Sequence, residues 1–186
     1  MPTAAQYRSY LQLPQVQAAL ATIAWAEGGK SYSTLFGGGS FTGSQHPNLA
    51  ITAGGYTSTA AGRYQFLYRT WIEIKNRLGL EDFGPFNQDI AALDLISQRG
   101  QVGRLLAGDF EGMMRGLGCA WAALPYATCG QNTRPLAQTM NYFNSAVSAL
   151  GGFVPAPAGA DLDTFAGVSS VMLALGLLAA VLILRD

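Results

Sequence analysis

The stretch Pro14-Gln15-Val16-Gln17-Ala18-Ala19-Leu20-Ala21-Thr22-Ile23-Ala24-Trp25-Ala26-Glu27-Gly28-Gly29 decides how this chain reads. Val16, Ala19, Leu20, Ile23 and Ala24 recur at helical spacing, so Pro14–Glu27 is expected to be a helix with one apolar face. Gly28-Gly29 stops it. The helix therefore delivers a single acid, Glu27, at its C-terminal end. The helix dipole is negative there, and a negative potential disfavours ionisation. Burial beside Trp25 would act in the same direction. Both effects keep a carboxyl protonated closer to neutral pH, which is what a general acid requires. An ordinary surface glutamate at a helix end fits the same pattern.

On either side of this helix the chain divides into three parts. Residues 1–150 form the working domain, 151–163 a linker rich in Pro, Gly and Ala, and 164–186 a span with a short tail. From Phe165 to Leu184 no charge interrupts about 20 apolar residues, the length of a helix crossing a bilayer. A lipid bilayer is therefore an expected partner, and a single-pass membrane protein the expected state. The N-terminus has no apolar secretory core. A formal net charge of zero excludes the basic signature of nucleic-acid binders. Cys119 and Cys129 match no metal-binding spacing, and the sole histidine, His46, is remote in sequence. No metal or cofactor is expected. The two cysteines read either as separate thiols or as one disulfide, which would need an oxidising compartment.

Within the domain, residues 30–60 are rich in Gly, Ser and Thr and read as loops with a small irregular β-hairpin. Helices are expected over Gly62–Leu78, Asn87–Gln98, Gln101–Ala107 and Thr133–Leu150, with Asp109 capping another. The expected fold class is α+β and mostly helical. No Asp or Glu lies between Lys30 and Ile72. Asp89 and Asp94 read as solvated helix faces, Glu81-Asp82 as a turn, and Glu73 with Arg77 as a pair across one helical turn.

Several ordered pieces carry a resemblance. They are Ala24-Trp25-Ala26-Glu27-Gly28, Gln45-His46-Pro47, Ser58-Thr59-Ala60-Ala61-Gly62-Arg63-Tyr64-Gln65, Leu78-Gly79-Leu80-Glu81-Asp82-Phe83, Trp121-Ala122-Ala123-Leu124-Pro125 and Gly130-Gln131. In this order the chain resembles the lambda-type phage endolysins, a family of murein lytic transglycosylases, over about residues 18–150. The resemblance implies a lysozyme-like, two-lobed domain with a sugar-binding cleft and a peptidoglycan glycan strand as partner. It implies cleavage of the MurNAc–GlcNAc β-1,4 bond without water. Glu27 would protonate the leaving oxygen, then act as base on the muramic acid C6 hydroxyl. The product would carry a 1,6-anhydro ring.

The resemblance also places Tyr64, Gln65, His46, Tyr126 and Gln131 at or near the cleft as substrate-binding residues. The T-even phage lysozymes, a related hydrolytic family, follow their Glu with a nearby Asp and Thr. Here Ser33-Thr34-Leu35-Phe36-Gly37 has no Asp, which favours transglycosylation. A hydrolysing muramidase on the same fold is the alternative. An inactive wall-binding structural virion protein is another. Two departures stand out: Cys129 occupies a position expected to be aromatic, and family members are soluble. The added span points to a virion membrane or the host inner membrane, with the catalytic domain facing the wall. It would serve wall penetration at infection or host lysis, alongside other virion membrane proteins.

Overall fold

The computed structural model describes residues 1–154. The span expected over 164–186, and all but the first residues of the linker, lie outside the described residues. Among the described residues, no helix is long and apolar enough to cross a membrane.

The helices are α1 (Ala4–Tyr10), α2 (Pro14–Glu27), α3 (Tyr68–Leu78), α4 (Pro85–Gln98), α5 (Val102–Leu106), α6 (Phe110–Leu117) and α7 (Leu136–Ala149). A two-stranded antiparallel sheet, β1 (Ile51–Ala53) and β2 (Tyr56–Ser58), pairs Ile51 with Ser58 and Ala53 with Tyr56. Gly54-Gly55, both with positive φ, make its two-residue turn, as a right-twisted hairpin prefers. The expected mixture of helices and one small hairpin is what forms.

α2 is not amphipathic but buried almost all round. Its buried positions are Gln15, Val16, Ala18, Ala19, Leu20, Thr22, Ile23, Ala24 and Ala26. Small side chains let α5 and α7 pack close to it. Thr22 satisfies its buried hydroxyl by donating to the Ala18 carbonyl at 2.7 Å. Gln15, wholly buried at the start of α2, donates to the carbonyls of Leu106 (3.2 Å) and Val154 (2.7 Å). Phe153 meanwhile lies over Gly108. Val154, the last described residue, is thus pinned beside the N-terminal end of α2.

Three expectations change. The element expected to start at Gly62 starts at Tyr68, because Gly62 and Gln65 have positive φ and fold 62–66 into a turn. A helix not expected, α1, forms at the N-terminus. Thr3 and Gln6 close a capping box there, and buried Tyr7 and Tyr10 dock it onto the core. Asp94 is not solvated but wholly buried. It accepts from Arg77 Nη1 (2.6 Å), Gln98 Nε2 (2.7 Å) and Tyr7 Oη (3.1 Å). Arg77 therefore serves Asp94, and Glu73 pairs instead with Arg69 on an exposed surface.

Asp94→Ala strands the buried Tyr7 hydroxyl and removes the partner of Arg77. A loss of roughly 2–4 kcal/mol is expected, read as a lower denaturation midpoint.

Candidate active site

Glu27 ends α2, and Gly28 follows in the left-handed conformation. The next residue, Gly29, has no room for a side chain, since a Cβ there would collide with the backbone carbonyl of Arg63. Only glycine allows this approach. It brings the C-terminal end of α2 against the turn 62–66. That turn is shaped in the same way: Gly62 has φ +79°, and a Cβ on it would strike Gln88 and Phe83.

The third wall is the segment 119–129. Its Ala123 N–H donates to Glu27 Oε1 at 2.9 Å, and Trp121 Nε1 donates to the Tyr64 carbonyl at 3.1 Å. A Cys119–Cys129 disulfide, with Cα atoms 5.7 Å apart, closes this segment into a loop. The disulfide is therefore the alternative that forms. It staples the segment that holds Glu27 in place.

The Glu27 carboxyl is half-buried, and burial pushes its pKa up. The Ala123 N–H and the charge of Arg134 pull it back only in part. No described residue donates to Oε2. The group therefore has one oxygen anchored and one available, and its neutral form is more favoured than in an exposed glutamate. That is the equipment of a proton donor.

The expected substrate residues have varied placements. Tyr64 is 1% exposed, and its hydroxyl donates to Asp89 at 2.6 Å. Its side chain is thus a buried support and not a surface offered to sugar. Gln65 is half-exposed on the turn, and its amide donates to the Gly62 carbonyl at 2.9 Å. His46 is buried, with one ring nitrogen on the Phe66 carbonyl (2.8 Å) and the other accepting from Asn48 N–H (3.1 Å). Burial lowers its pKa, and both nitrogens are occupied, so it ties a loop to the turn 62–66. Tyr126 is tied to α6: its hydroxyl donates to Glu111 at 2.7 Å, and Arg115 lies over its ring. Gln131 is exposed.

Sequence reasoning missed a group built around Asp89, which is not a solvated helix residue. Its carboxylate accepts from Tyr64 and from Tyr32, the latter at 3.0 and 3.1 Å. Burial raises its pKa, and the two hydroxyls oppose that rise. Its neighbour Gln88 donates to the Tyr32 carbonyl (2.9 Å) and accepts from Arg63 N–H (2.9 Å). One step of α4 thus fastens both the loop after Glu27 and the turn 62–66. The guanidinium of Arg63 lies over the Tyr32 ring, and that of Arg134 over Trp25, which stacks on Tyr142. The only local signal was Arg63, inside a motif noted for its neighbours.

A family model described as Endolysin matches residues 17–150. This chain belongs to the endolysin family. It is 38% identical to the endolysin of Escherichia phage lambda over 128 residues, covering 63% of this chain and 81% of that protein. It is also 38% identical to the endolysin of Escherichia phage P2 over 110 residues, or 59% and 64% of the two lengths. A solved bacteriophage lambda lysozyme complexed with a chitohexasaccharide superposes with a TM-score of 0.69 at 34% identity, covering 76% of this chain and 96% of that one. The lysozyme-like fold expected from the sequence is thus present. The chain is an enzyme of the endolysin and lysozyme type, acting on glycosidic bonds of the cell wall.

Cys119→Ser opens the loop carrying Ala123 and removes a cross-link of roughly 3 kcal/mol by the chain-entropy model. The expected result is a lower melting temperature and reduced wall clearance, both reproduced in wild type by a reducing agent.

Proposed function

We propose that this endolysin-family chain is a membrane-anchored lytic transglycosylase. It cleaves the MurNAc–GlcNAc β-1,4 bond of peptidoglycan and leaves a 1,6-anhydro product. The observation that carries this reading is the placement of Glu27: a carboxyl anchored through Oε1, with Oε2 available, whose pKa burial pushes up. Glu27 donates a proton to the leaving oxygen. The resulting carboxylate takes the proton of the muramic acid C6 hydroxyl as that oxygen attacks C1. The proton count balances on one residue, and no second acid is needed to activate water. Asp89, the acid that folding brings to the turn 62–66, has its oxygens engaged by two tyrosine hydroxyls. That commitment suits a structural support better than a water-activating base. Sugar recognition is assigned to the half-exposed Gln65 and exposed Gln131, with Tyr64, His46 and Tyr126 shaping the site from behind.

Mass spectrometry of digested peptidoglycan tests the chemistry. Anhydro-muropeptides are expected, and reducing-end products alone would establish a hydrolysing muramidase. Glu27→Gln is expected to lower the rate by about a thousandfold, within the range for loss of a positioned general acid. Unchanged clearance by that variant would overturn the assignment of Glu27 as the catalytic acid. Because the acid must be protonated, the wild-type rate should fall as pH rises through the elevated pKa of Glu27.

The anchor is assigned to the uncharged run Phe165–Leu184, in a virion membrane or the host inner membrane with the catalytic domain facing the wall. The position of Val154 supports this arrangement. Val154 is held at Gln15, while Glu27 lies at the other end of α2, about 18 Å away along a helix of this rise. A tether leaving there keeps the Glu27 end free for the wall. The full chain is expected to enter the detergent phase on extraction and a chain ending at Val154 to stay aqueous. A full chain in the aqueous phase would refute the anchor.

A further inference from the structure

Four arginines, Arg69, Arg77, Arg104 and Arg115, each pair with a carboxylate. Among the described arginines without such a pair, Arg134 donates to Ala26 beside Glu27, and the Arg63 backbone meets Gly29. Among the described residues, neither Arg63 nor Arg134 has a carboxylate within ion-pair distance. Each is held instead by stacking. The Arg63 guanidinium lies 5.1 Å from the Tyr32 ring centroid and that of Arg134 4.9 Å from the Trp25 ring. Trp25 in turn stacks on Tyr142 at 4.9 Å, and Tyr142 feels the charge of Arg63. Arg134 Nε donates only to the Ala26 carbonyl, at 3.3 Å. Arg63 Nε is buried without an acceptor. The nearby Asp89 does not supply one, because its oxygens receive the two tyrosine hydroxyls.

A partly exposed band of aromatic rings and guanidinium groups thus flanks the catalytic carboxyl. Stacking holds both cations in place while leaving donors over. A neutral sugar offers two guanidinium groups hydroxyl acceptors but does not offer matching charge and planar geometry. A planar carboxylate does, because guanidinium presents a matching fork of N–H donors. Peptidoglycan supplies such groups, since its stem peptides hang from the muramic acid and carry free carboxylates. We infer that Arg63 and Arg134 bind stem-peptide carboxylates and make this chain selective for the anionic, peptide-bearing strand over uncharged amino-sugar polymer. This rests on peptidoglycan being the substrate.

The test measures kcat and KM of the full chain on native peptidoglycan and on the same material with its carboxylates converted to amides. Amidation is expected to raise the wild-type KM about fivefold or more, the scale of one or two exposed charge pairs. Arg134→Gln and Arg63→Gln should raise KM on native wall and shrink the difference between the two substrates. Variants that merely damage the fold lose both substrates alike, so an unchanged native-to-amidated ratio in both variants overturns the inference. Equal wild-type KM values on the two walls overturn it as well, with the peptidoglycan reading intact. A wild-type chain that cleaves neither wall removes the peptidoglycan reading and this inference together.

Discussion

The arrangement around Glu27 depends on the backbone contact between Gly29 and Arg63. A helix end, taken alone, offers a carboxylate to water. Here the chain turns at once onto the carbonyl of a residue over thirty positions away, and no side chain separates them. The turn 62–66 becomes one wall of the site, and Trp121 reaches the Tyr64 carbonyl from the other side. The disulfide-closed segment 119–129 then places the Ala123 N–H on Glu27. Each of these contacts presupposes the close approach at Gly29.

α4 supplies the rigidity behind this. It carries two acids, Asp89 and Asp94, that would be unremarkable on a surface. Asp94 gathers Arg77, Gln98 and Tyr7, and so binds α1 and α3 to the core. Asp89 gathers Tyr32 and Tyr64, and so binds the loop and the turn that line the site. Buried carboxylates are costly unless their oxygens are hydrogen-bonded, and both are. The same residues that satisfy them determine where the site's backbone runs.

The division of labour along α2 follows from its burial. Its first turn holds Val154, the last described residue, through Gln15. Its last residue, Glu27, presents the half-buried carboxyl of the site. A rigid rod buried on most sides keeps those two functions a fixed distance apart.

Much was legible in the sequence, where the information is local. Helical spacing showed α2, α4, α5 and α7 to within a few residues, the small hairpin forms within the 30–60 stretch expected to hold one, and Asp109 caps α6 as its side chain predicts. Glu27 was legible as an acid at a helix end. What sequence alone did not decide was every fact that depends on a distant partner. Asp89 and Asp94 looked solvated because the tyrosines and the arginine they hold are 17 to 87 residues away. Tyr64 and His46 looked like cleft residues because motif position says nothing about which way a ring packs. Helix periodicity and turn chemistry are properties of neighbouring residues, so the sequence by itself determined the elements and the acid. Burial, the disulfide and the flanking arginines require chain segments to meet, and only the tertiary structure decided those.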